Sequence, residues 1–243
     1  MAEEGTGTYP KLKLSVVIPT RNEAKNIGHC LARLTSALQQ KFIPHEILVV
    51  DSESSDGTRE IVQRHINASH HIRLITLKRD TGLGTALKEG FSQVAGDMVV
   101  PFMADLSDSE EDLVTIYQKI CEGYDVVYTN RFIQGGKVVH YPRVKLCLNR
   151  IFNKLVALLF SVPFTDMTNA FKGYRTILLK KINLKSDGFE ILIELPLKAW
   201  FAGGSFTQIP VKWMGRKEGA SKFHWVRLAP RYLKVVADIY THA

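Results

Sequence analysis

Short apolar runs alternate with amphipathic stretches along the first 130 residues, and this alternation constrains the fold more than any other feature. Strands are predicted for runs rich in β-branched residues, at Leu14–Ile18, Glu46–Asp51, His71–Leu77, Met98–Phe102 and Asp125–Thr129. Helices are predicted for the stretches between them, over Asn22–Gln40, Thr58–Arg64, Gly84–Val94 and Asp108–Cys121. This spacing favours one α/β domain whose mostly parallel sheet carries helices on both faces.

Polar residues gather where three of these strands end. They lie at Thr20–Glu23, at Asp51–Thr58 and at Asp105–Asp108. Parallel strands bring their carboxyl ends to one edge of a sheet, and open α/β sheets bind ligands in the crevice at that edge. The sequence therefore predicts a polar ligand site there.

Composition excludes several other classes of protein. The chain has 243 residues, of which 45% are hydrophobic, too many for a disordered or collagen-like chain. Its cysteines, Cys30, Cys121 and Cys147, include no Cys-x-x-Cys pair. A zinc site or a disulfide framework is therefore disfavoured, and buried thiols in a reducing compartment are expected.

Charge is divided unequally between the two halves of the chain. Residues 1–130 hold 13 Lys and Arg against 18 Asp and Glu, whereas residues 131–243 hold 19 against 6. A basic half of this kind favours anionic partners, either phosphorylated substrates or lipid headgroups. Nucleic acid is disfavoured because the cations are scattered among apolar stretches instead of forming one Lys/Arg helix.

Two basic amphipathic helices are predicted in the second half, over Arg143–Phe160 and Phe223–Tyr240. Such helices suit the membrane interface, although packing on the domain is the alternative for each. No segment reaches the roughly 18 apolar residues that a spanning helix needs, and the acidic start resembles neither a signal nor a transit peptide. The expected organisation is a flexible tail (1–12), an α/β domain (13–222) and an amphipathic C-terminal helix (223–243), peripherally bound to the cytoplasmic side of a membrane.

Seven motifs follow one another in a recognisable order. They are Val17–Glu23, Val49–Thr58, Gly82–Ala86, Met103–Ser107, Arg131 with Gly135-Gly136, Asp166–Lys172 and Arg216–Lys222. Together they resemble the family 2 glycosyltransferases of GT-A (Rossmann-like) fold, and in particular the dolichyl-phosphate mannose synthase branch. The resemblance covers about residues 13–225. It implies transfer of a hexose onto a polyprenyl or dolichyl phosphate with inversion at the anomeric carbon. Mannose from GDP-mannose is the first choice of sugar and donor.

The resemblance also implies a nucleotide-sugar donor site. Pro19, Arg21, Glu23 and Asp51 are expected to line the nucleoside pocket, with the Asp51 carboxylate accepting a ring N–H of the base. Ala104 and Asp105 are expected beside the diphosphate, and Arg216 and Lys222 on a loop that closes over it. Relatives often carry Tyr where Arg21 stands, so an arginine there leaves the choice of base open.

A divalent cation, Mg²⁺ or Mn²⁺, is the expected cofactor, with Asp105 and Ser107 as its ligands. The family motif is Asp-x-Asp, but Met103 occupies the first position, and a thioether does not replace a carboxylate for these ions. Asp108 is interpreted either as a compensating carboxylate acting through water or as the N-cap of the next helix. The N-cap is the favoured interpretation.

The resemblance implies Asp105 and Arg131 as the catalytic residues, and Arg131 and Arg143 are expected to bind the acceptor phosphate. A small membrane subunit is a further possible partner. Glu190 and Glu194 are expected to cap a helix or pair with Lys198 instead of acting as bases. Two alternatives stay open: the same fold with a UDP-sugar donor or a saccharide acceptor, and a non-catalytic nucleotide-sugar-binding subunit.

Overall fold

Seven strands form the central sheet of the computed structural model, which describes residues 11–79, 82–215 and 225–242. These strands are β1 (Leu14–Thr20), β2 (His45–Ser52), β3 (Ile72–Leu77), β4 (Met98–Pro101), β5 (Val126–Asn130), β7 (Lys172–Arg175) and β8 (Phe206–Pro210). Their spatial order is β3-β2-β1-β4-β7-β5-β8. Only β7 runs antiparallel to its neighbours within this sheet.

The remaining elements surround the sheet. The helices are α1 (Ile27–Gln40), α2 (Thr58–Ala68), α3 (Leu83–Ser92), α4 (Glu110–Cys121), α5 (Arg143–Leu159), α6 (Thr176–Leu179), α7 (Ile191–Phe201) and α8 (Trp225–Tyr240). A small parallel sheet pairs β6 (Lys137–Val139) with β9 (Lys212–Met214). The predicted α/β architecture is confirmed.

The core consists of two layers, one on each face of the sheet. One layer packs α1, α2 and α4 against the sheet, and the other packs α3, α5, α7 and α8. Successive residues of β1 serve opposite layers, because Val16 and Ile18 belong to the first and Val17 to the second. Since both faces are covered, the strands read as continuous apolar runs in the sequence.

Two predicted helix boundaries are corrected by the structure. The first helix begins at Ile27 instead of Asn22, because the chain turns at Asn22 with a φ of 54°. The fourth begins at Glu110, and its N-cap is Ser109, whose side chain accepts a hydrogen bond from the Asp112 backbone. The prediction that Asp108 caps this helix was therefore wrong.

The predicted role of Glu194 is confirmed, since its carboxylate pairs with Lys198 at 2.5 Å and accepts hydrogen bonds from the Lys185 and Ser186 backbones. The inner face of α8 is buried in the core through Tyr232, Val236 and Ile239. Among the described residues, no helix is both long enough and apolar enough to cross a membrane. The predicted domain boundaries stay predictions.

We expect Gly173→Ala to destabilise the fold by about 1–3 kcal/mol, because overpacking forces rigid neighbours to move. A Cβ on Gly173 would lie 2.2 Å from Ile116 Cγ2, where α4 meets β7. Urea unfolding measures the change. Gln118→Ala, on the exposed side of α4, is the control and should stay within about 0.5 kcal/mol of the parent. A Gly173→Ala protein as stable as this control would contradict the close packing.

Candidate active site

A crevice opens at the carboxyl ends of β1 and β4. β2 and β3 follow β1 in the sequence and lie on one side of it in the sheet, whereas β4 lies on the other side of β1. The segments that leave β1 and β4 therefore diverge, which makes the point between them the binding crevice of an open α/β sheet. The segment after β1 contains Arg21 and Glu23, and the segment after β4 contains Asp105.

Two loops on the β1–β2 side of the crevice are held together by short hydrogen bonds. The Asn22 backbone N–H donates to Ser54 Oγ at 2.8 Å, and Asn22 Oδ1 accepts from the Ser55 backbone at 2.9 Å. The Glu23 backbone N–H donates to Thr58 Oγ1 at 2.9 Å. Side chains that replace secondary-structure hydrogen bonds make such loops rigid, so the predicted donor residues next to them have fixed positions.

Asp51, at the end of β2, is fully buried and already has several partners in the protein. Its carboxylate accepts hydrogen bonds from Arg59 Nε at 2.7 Å, from the Ser54 backbone at 3.0 Å and from Thr20 Oγ1 at 3.2 Å. Ser54 Oγ is a further donor. Arg59, which the sequence did not single out, therefore balances the charge of Asp51. Recognition of a base by Asp51 stays a prediction.

The other predicted donor residues of β1, β2 and β4 lie along the same edge of the sheet. Pro19 is buried within β1, and Ala104 is buried after β4. Glu23 is buried and accepts a hydrogen bond from Asn26 Nδ2 at 2.8 Å. Arg21 is exposed just after β1. These residues therefore lie at or after the carboxyl ends of strands that end at one edge of the sheet, and their role in donor binding stays a prediction.

Asp105 and Ser107 stand on a tight turn after β4. Asp105 Oδ1 accepts a hydrogen bond from the Ser107 backbone at 3.1 Å, and Leu106 between them has a φ of 60°. Ser107 is buried, and its carbonyl accepts from the Met214 backbone at 3.1 Å, which ties the turn to β9. The turn presents a half-buried carboxylate and a hydroxyl close together in the sequence.

Asp108 is the least expected member of the site. It is 6% exposed, and within the described part of the chain its Oδ2 has no hydrogen-bond partner. Burial, and then the nearby Asp105 carboxylate, raise its pKa to about 7, while a hydrogen bond from the Met103 backbone and the charge of Arg131 oppose that rise. An isolated Asp beside an N-cap carries no sequence signal that distinguishes this environment.

Arg131, after β5, is held by a buried ion pair with Asp166. The Arg131 Nε and Nη2 atoms donate to the two Asp166 carboxylate oxygens at 2.8 and 2.7 Å, and the Arg131 backbone N–H donates at 2.9 Å. Both side chains are buried, at 7% and 0% exposure. Burial lowers the pKa of Arg131, but Asp166 outweighs burial and the net shift is upward. The pair fixes the guanidinium bidentately.

The segment that carries Asp166 is itself fixed from three directions. Asn153 of α5 accepts from the Met167 backbone at 2.7 Å, and Asn169 Nδ2 donates to Thr129 Oγ1 at 2.8 Å. The fully buried Lys172 donates through Nζ to the Met167 carbonyl at 3.0 Å and to the Asn169 carbonyl. Burial lowers the pKa of Lys172 to about 7, although Asp166 opposes this shift.

Aromatic rings border the ion pair. Arg131 Cζ lies 5.2 Å from the centre of the Phe132 ring and 5.8 Å from that of Trp213. Trp213 meets Tyr141 edge to face at 5.2 Å. Rings beside a guanidinium limit its motion and exclude water, so this wall protects the ion pair.

The remaining predicted residues are less constrained. Arg143 is exposed at the first residue of α5, and Arg216 and Lys222 lie outside the described residues. In the described ranges, no group of three or more His, Cys, Asp or Glu is suited to a metal ion. Asp105 and Ser107 nevertheless supply hard oxygen atoms. Mg²⁺ in particular uses one or two carboxylates together with substrate phosphates, so these residues fit a cation shared with a diphosphate.

A mostly parallel α/β sheet with a carboxylate turn after β4 is the arrangement expected of a GT-A glycosyltransferase. The family model described as "Glycosyl transferase family 2" matches residues 15–182. The chain therefore belongs to glycosyl transferase family 2, which confirms the resemblance and makes the protein a glycosyltransferase by family.

Several curated relatives match nearly the whole chain. The dolichol-phosphate mannosyltransferase of Pyrococcus furiosus is 29% identical over 94% of this chain and 66% of its own length. The polyprenol monophosphomannose synthase of Mycolicibacterium smegmatis is 29% identical over 96% and 91%. The undecaprenyl-phosphate 4-deoxy-4-formamido-L-arabinose transferase of Salmonella choleraesuis is 30% identical over 90% and 65%. The chain therefore spans just under two thirds of the first and third.

Solved structures support the fold. The glucosyl-3-phosphoglycerate synthase of Mycobacterium tuberculosis, in complex with Mn²⁺, UDP and glucosyl-3-phosphoglycerate, superposes with a TM-score of 0.68 over 95% of this chain and 79% of that chain. The sequences are 18% identical. This similarity concerns the arrangement of the elements alone.

We expect Asp166→Asn to destabilise the protein by about 3–5 kcal/mol, because it leaves the Arg131 guanidinium buried without a counter-charge. Adding Arg131→Met to Asp166→Asn should recover part of the loss, since no buried charge then remains. A double-mutant cycle in urea measures the coupling. A loss in the double variant equal to the sum of the losses in Asp166→Asn and in Arg131→Met alone would show that the ion pair is not coupled.

Proposed function

We propose that this protein transfers a hexose from a nucleotide-diphosphate sugar onto a polyprenyl phosphate at a membrane surface. The observation that carries the proposal is an apolar groove near the Arg131–Asp166 ion pair, to which it is linked through Tyr141 and Trp213. A lipid phosphate needs cations that bind its headgroup and an apolar groove that holds its hydrocarbon chain, and the ion pair and the groove would provide these two features.

The groove lies between α5 and α8 and has a volume of about 320 Å³. Its lining is almost wholly apolar and includes Leu148, Ile151, Phe152, Leu155 and Leu228. Its polar end is formed by Tyr141, Lys145, Asn149 and Thr168. Tyr141 also packs on Trp213, and the Trp213 ring centre lies 5.8 Å from Arg131 Cζ, so this end of the groove lies near the ion pair. An isoprenoid chain matches this combination of an apolar body and a polar end.

The curated relatives support the acceptor more strongly than the sugar. All three are named for a polyprenyl or dolichyl phosphate product or acceptor, but they differ between mannose and a formamido-arabinose. Mannose from GDP-mannose is the donor we propose, because two of the three relatives are mannosyl enzymes. A UDP-sugar donor is the alternative, since the exposed Arg21 does not select a base.

An exposed apolar stripe on α5 supports peripheral contact with the membrane. The stripe consists of Val144, Leu148, Ile151, Leu155 and Leu158, which are 41–77% exposed. Cationic residues of the same helix accompany it, namely Arg143, Lys145, Arg150 and Lys154. A helix of this kind lies in the headgroup region, with its apolar side inserted and its cations among anionic lipids. This placement would deliver the lipid phosphate to the groove.

The chemistry of the acceptor limits what the protein must supply. A phosphate monoester has its second pKa near 6, so it is already largely ionised at neutral pH and needs no base. Its oxygen attacks the anomeric carbon, the bond to the donor diphosphate breaks with inversion, and the nucleoside diphosphate leaves with that electron pair. The protein must hold two anions together, a task for Arg131 and Arg143, and for Arg216 and Lys222 of the proposed donor loop.

On the donor side, Asp105 and Ser107 would hold the divalent cation against the diphosphate. Bound there, a cation neutralises the charge that develops on the leaving group. The interlocked loops after β1 and β2 would orient the nucleoside, and their rigidity keeps the reacting carbon in position.

The first test is the reaction itself. Protein with Mg²⁺ or Mn²⁺, labelled GDP-mannose and dolichyl phosphate should yield labelled lipid, and Asp105→Asn should lower the rate by roughly a hundredfold or more, as expected when a charge-stabilising group is lost. UDP-glucose in place of GDP-mannose tests the alternative donor. Labelled lipid from neither donor, with equal rates for both proteins, would favour a non-catalytic nucleotide-sugar-binding subunit.

The groove makes a separate prediction. Ile151→Asp should raise the KM for a short-chain polyprenyl phosphate in detergent by roughly tenfold or more, because it places a charge among apolar groups, and the KM for the donor should not change. Leu158→Asp is the matched control: it lies on the same helix, 77% exposed and outside the groove. It should keep the KM for the acceptor and reduce flotation with anionic vesicles. Equal KM values for both variants would contradict the groove.

A further inference from the structure

The turn after β4 lacks one carboxylate and contains another that the family motif does not predict. Met103 stands where the motif has its first aspartate, and its thioether is a poor ligand for Mg²⁺ or Mn²⁺. Five residues later, Asp108 is buried in the same turn. Both positions belong to the segment between β4 and α4.

The backbone reverses its direction between Asp105 and Asp108. Leu106 adopts a left-handed conformation with a φ of 60°, and the Ser107 backbone closes back onto Asp105 Oδ1 at 3.1 Å. This reversal folds the chain after Asp105 over the chain before it. Asp105 and Asp108 are therefore three residues apart on one reversed segment of the chain.

One oxygen of Asp108 has nothing to bind among the described residues. Its Oδ2 accepts no hydrogen bond, although the residue is only 6% exposed. Leaving a buried carboxylate without compensation is costly, and such a group in a native protein requires an explanation, a bound ion being one of them.

The nearby cations of the protein are engaged elsewhere. Arg131 donates through Nε and Nη2 to Asp166. The Lys172 ammonium donates to the carbonyls of Met167 and Asn169. Neither group supplies the missing partner of Asp108 Oδ2, whereas a divalent cation beside Asp105 would supply one.

We propose that Asp108 provides the second carboxylate of the divalent-cation site, in place of the aspartate that is absent at position 103. The cation would be held between Asp105 and Asp108, with Ser107 and the donor diphosphate completing its oxygen ligands. Two carboxylates with substrate phosphates are a usual protein set for Mg²⁺. This inference rests on the proposed function for the donor, but it requires neither a particular sugar nor a particular acceptor.

The test measures Mn²⁺ binding without any transfer reaction. Bound Mn²⁺ is determined by electron paramagnetic resonance on the full chain, alone and with GDP or UDP. Asp108→Asn should weaken binding by roughly tenfold or more. Glu122→Gln removes the same charge just beyond the far end of α4, where Glu122 pairs with Lys119, and should bind Mn²⁺ as the parent does. Wild-type affinity in Asp108→Asn would overturn the proposal, as would a parent protein without saturable Mn²⁺ binding.

Stability and rescue separate a ligand from a structural residue. Without metal, Asp108→Asn should unfold at the same temperature as the parent or a higher one, because a buried unpaired charge is removed. Met103→Asp in the Asp108→Asn background should restore Mn²⁺ affinity by returning a carboxylate to position 103. A metal-free Asp108→Asn protein that unfolds earlier, without rescue by Met103→Asp, would identify Asp108 as structural and overturn the proposal. Mn²⁺ binding that follows these expectations without labelled lipid would contradict the proposed function alone.

Discussion

The buried ion pair between Arg131 and Asp166 is the interaction on which the rest of the site depends. It joins the end of β5 to the segment that precedes β7, and Lys172 and Asn153 hold that segment from two further elements. Burial makes such a pair weak as a source of stability, because desolvation offsets much of the Coulomb attraction. Its geometric effect is what matters here. The bidentate contact, together with the hydrogen bonds of the surrounding loop, holds Arg131 in one position between the crevice and the apolar groove.

Charge and apolar surface are distributed to suit two different ligands. The acidic first half supplies the crevice, where Asp51, Asp105 and Asp108 are buried or half-buried and mostly hydrogen-bonded to backbone groups. The basic second half supplies α5, whose cations accompany an exposed apolar stripe. The net charge of +8 for the whole chain conceals this division. The proposed transfer from a water-soluble donor to a lipid-linked phosphate would require both surfaces on one domain.

The sequence predicted the elements of the first 130 residues well, because period and composition act locally. All five predicted strands exist within one or two residues of their expected ends. The predicted first residues of the helices were less accurate. The first helix starts after a turn at Asn22 and the fourth after the N-cap Ser109, and the periodicity of apolar residues does not reveal such turns and caps. Beyond residue 160, β7 enters the sheet antiparallel between β4 and β5. Its four residues pair with segments that are distant in the sequence, so no local pattern predicted this strand.

The sequence by itself determined the fold class, the edge of the sheet where polar residues gather and the motifs that belong to glycosyl transferase family 2. These follow from spacing and residue type, which are local properties of the chain. Only the tertiary structure decided which charges meet. Asp51 pairs with Arg59 and Arg131 with Asp166, whereas Asp108 Oδ2 has no partner in the described part of the chain. Arg131 and Asp166 are 35 residues apart in the sequence. Contacts between residues so far apart in the sequence arise from packing, because a buried charge is favoured only where packing brings an opposite charge within reach.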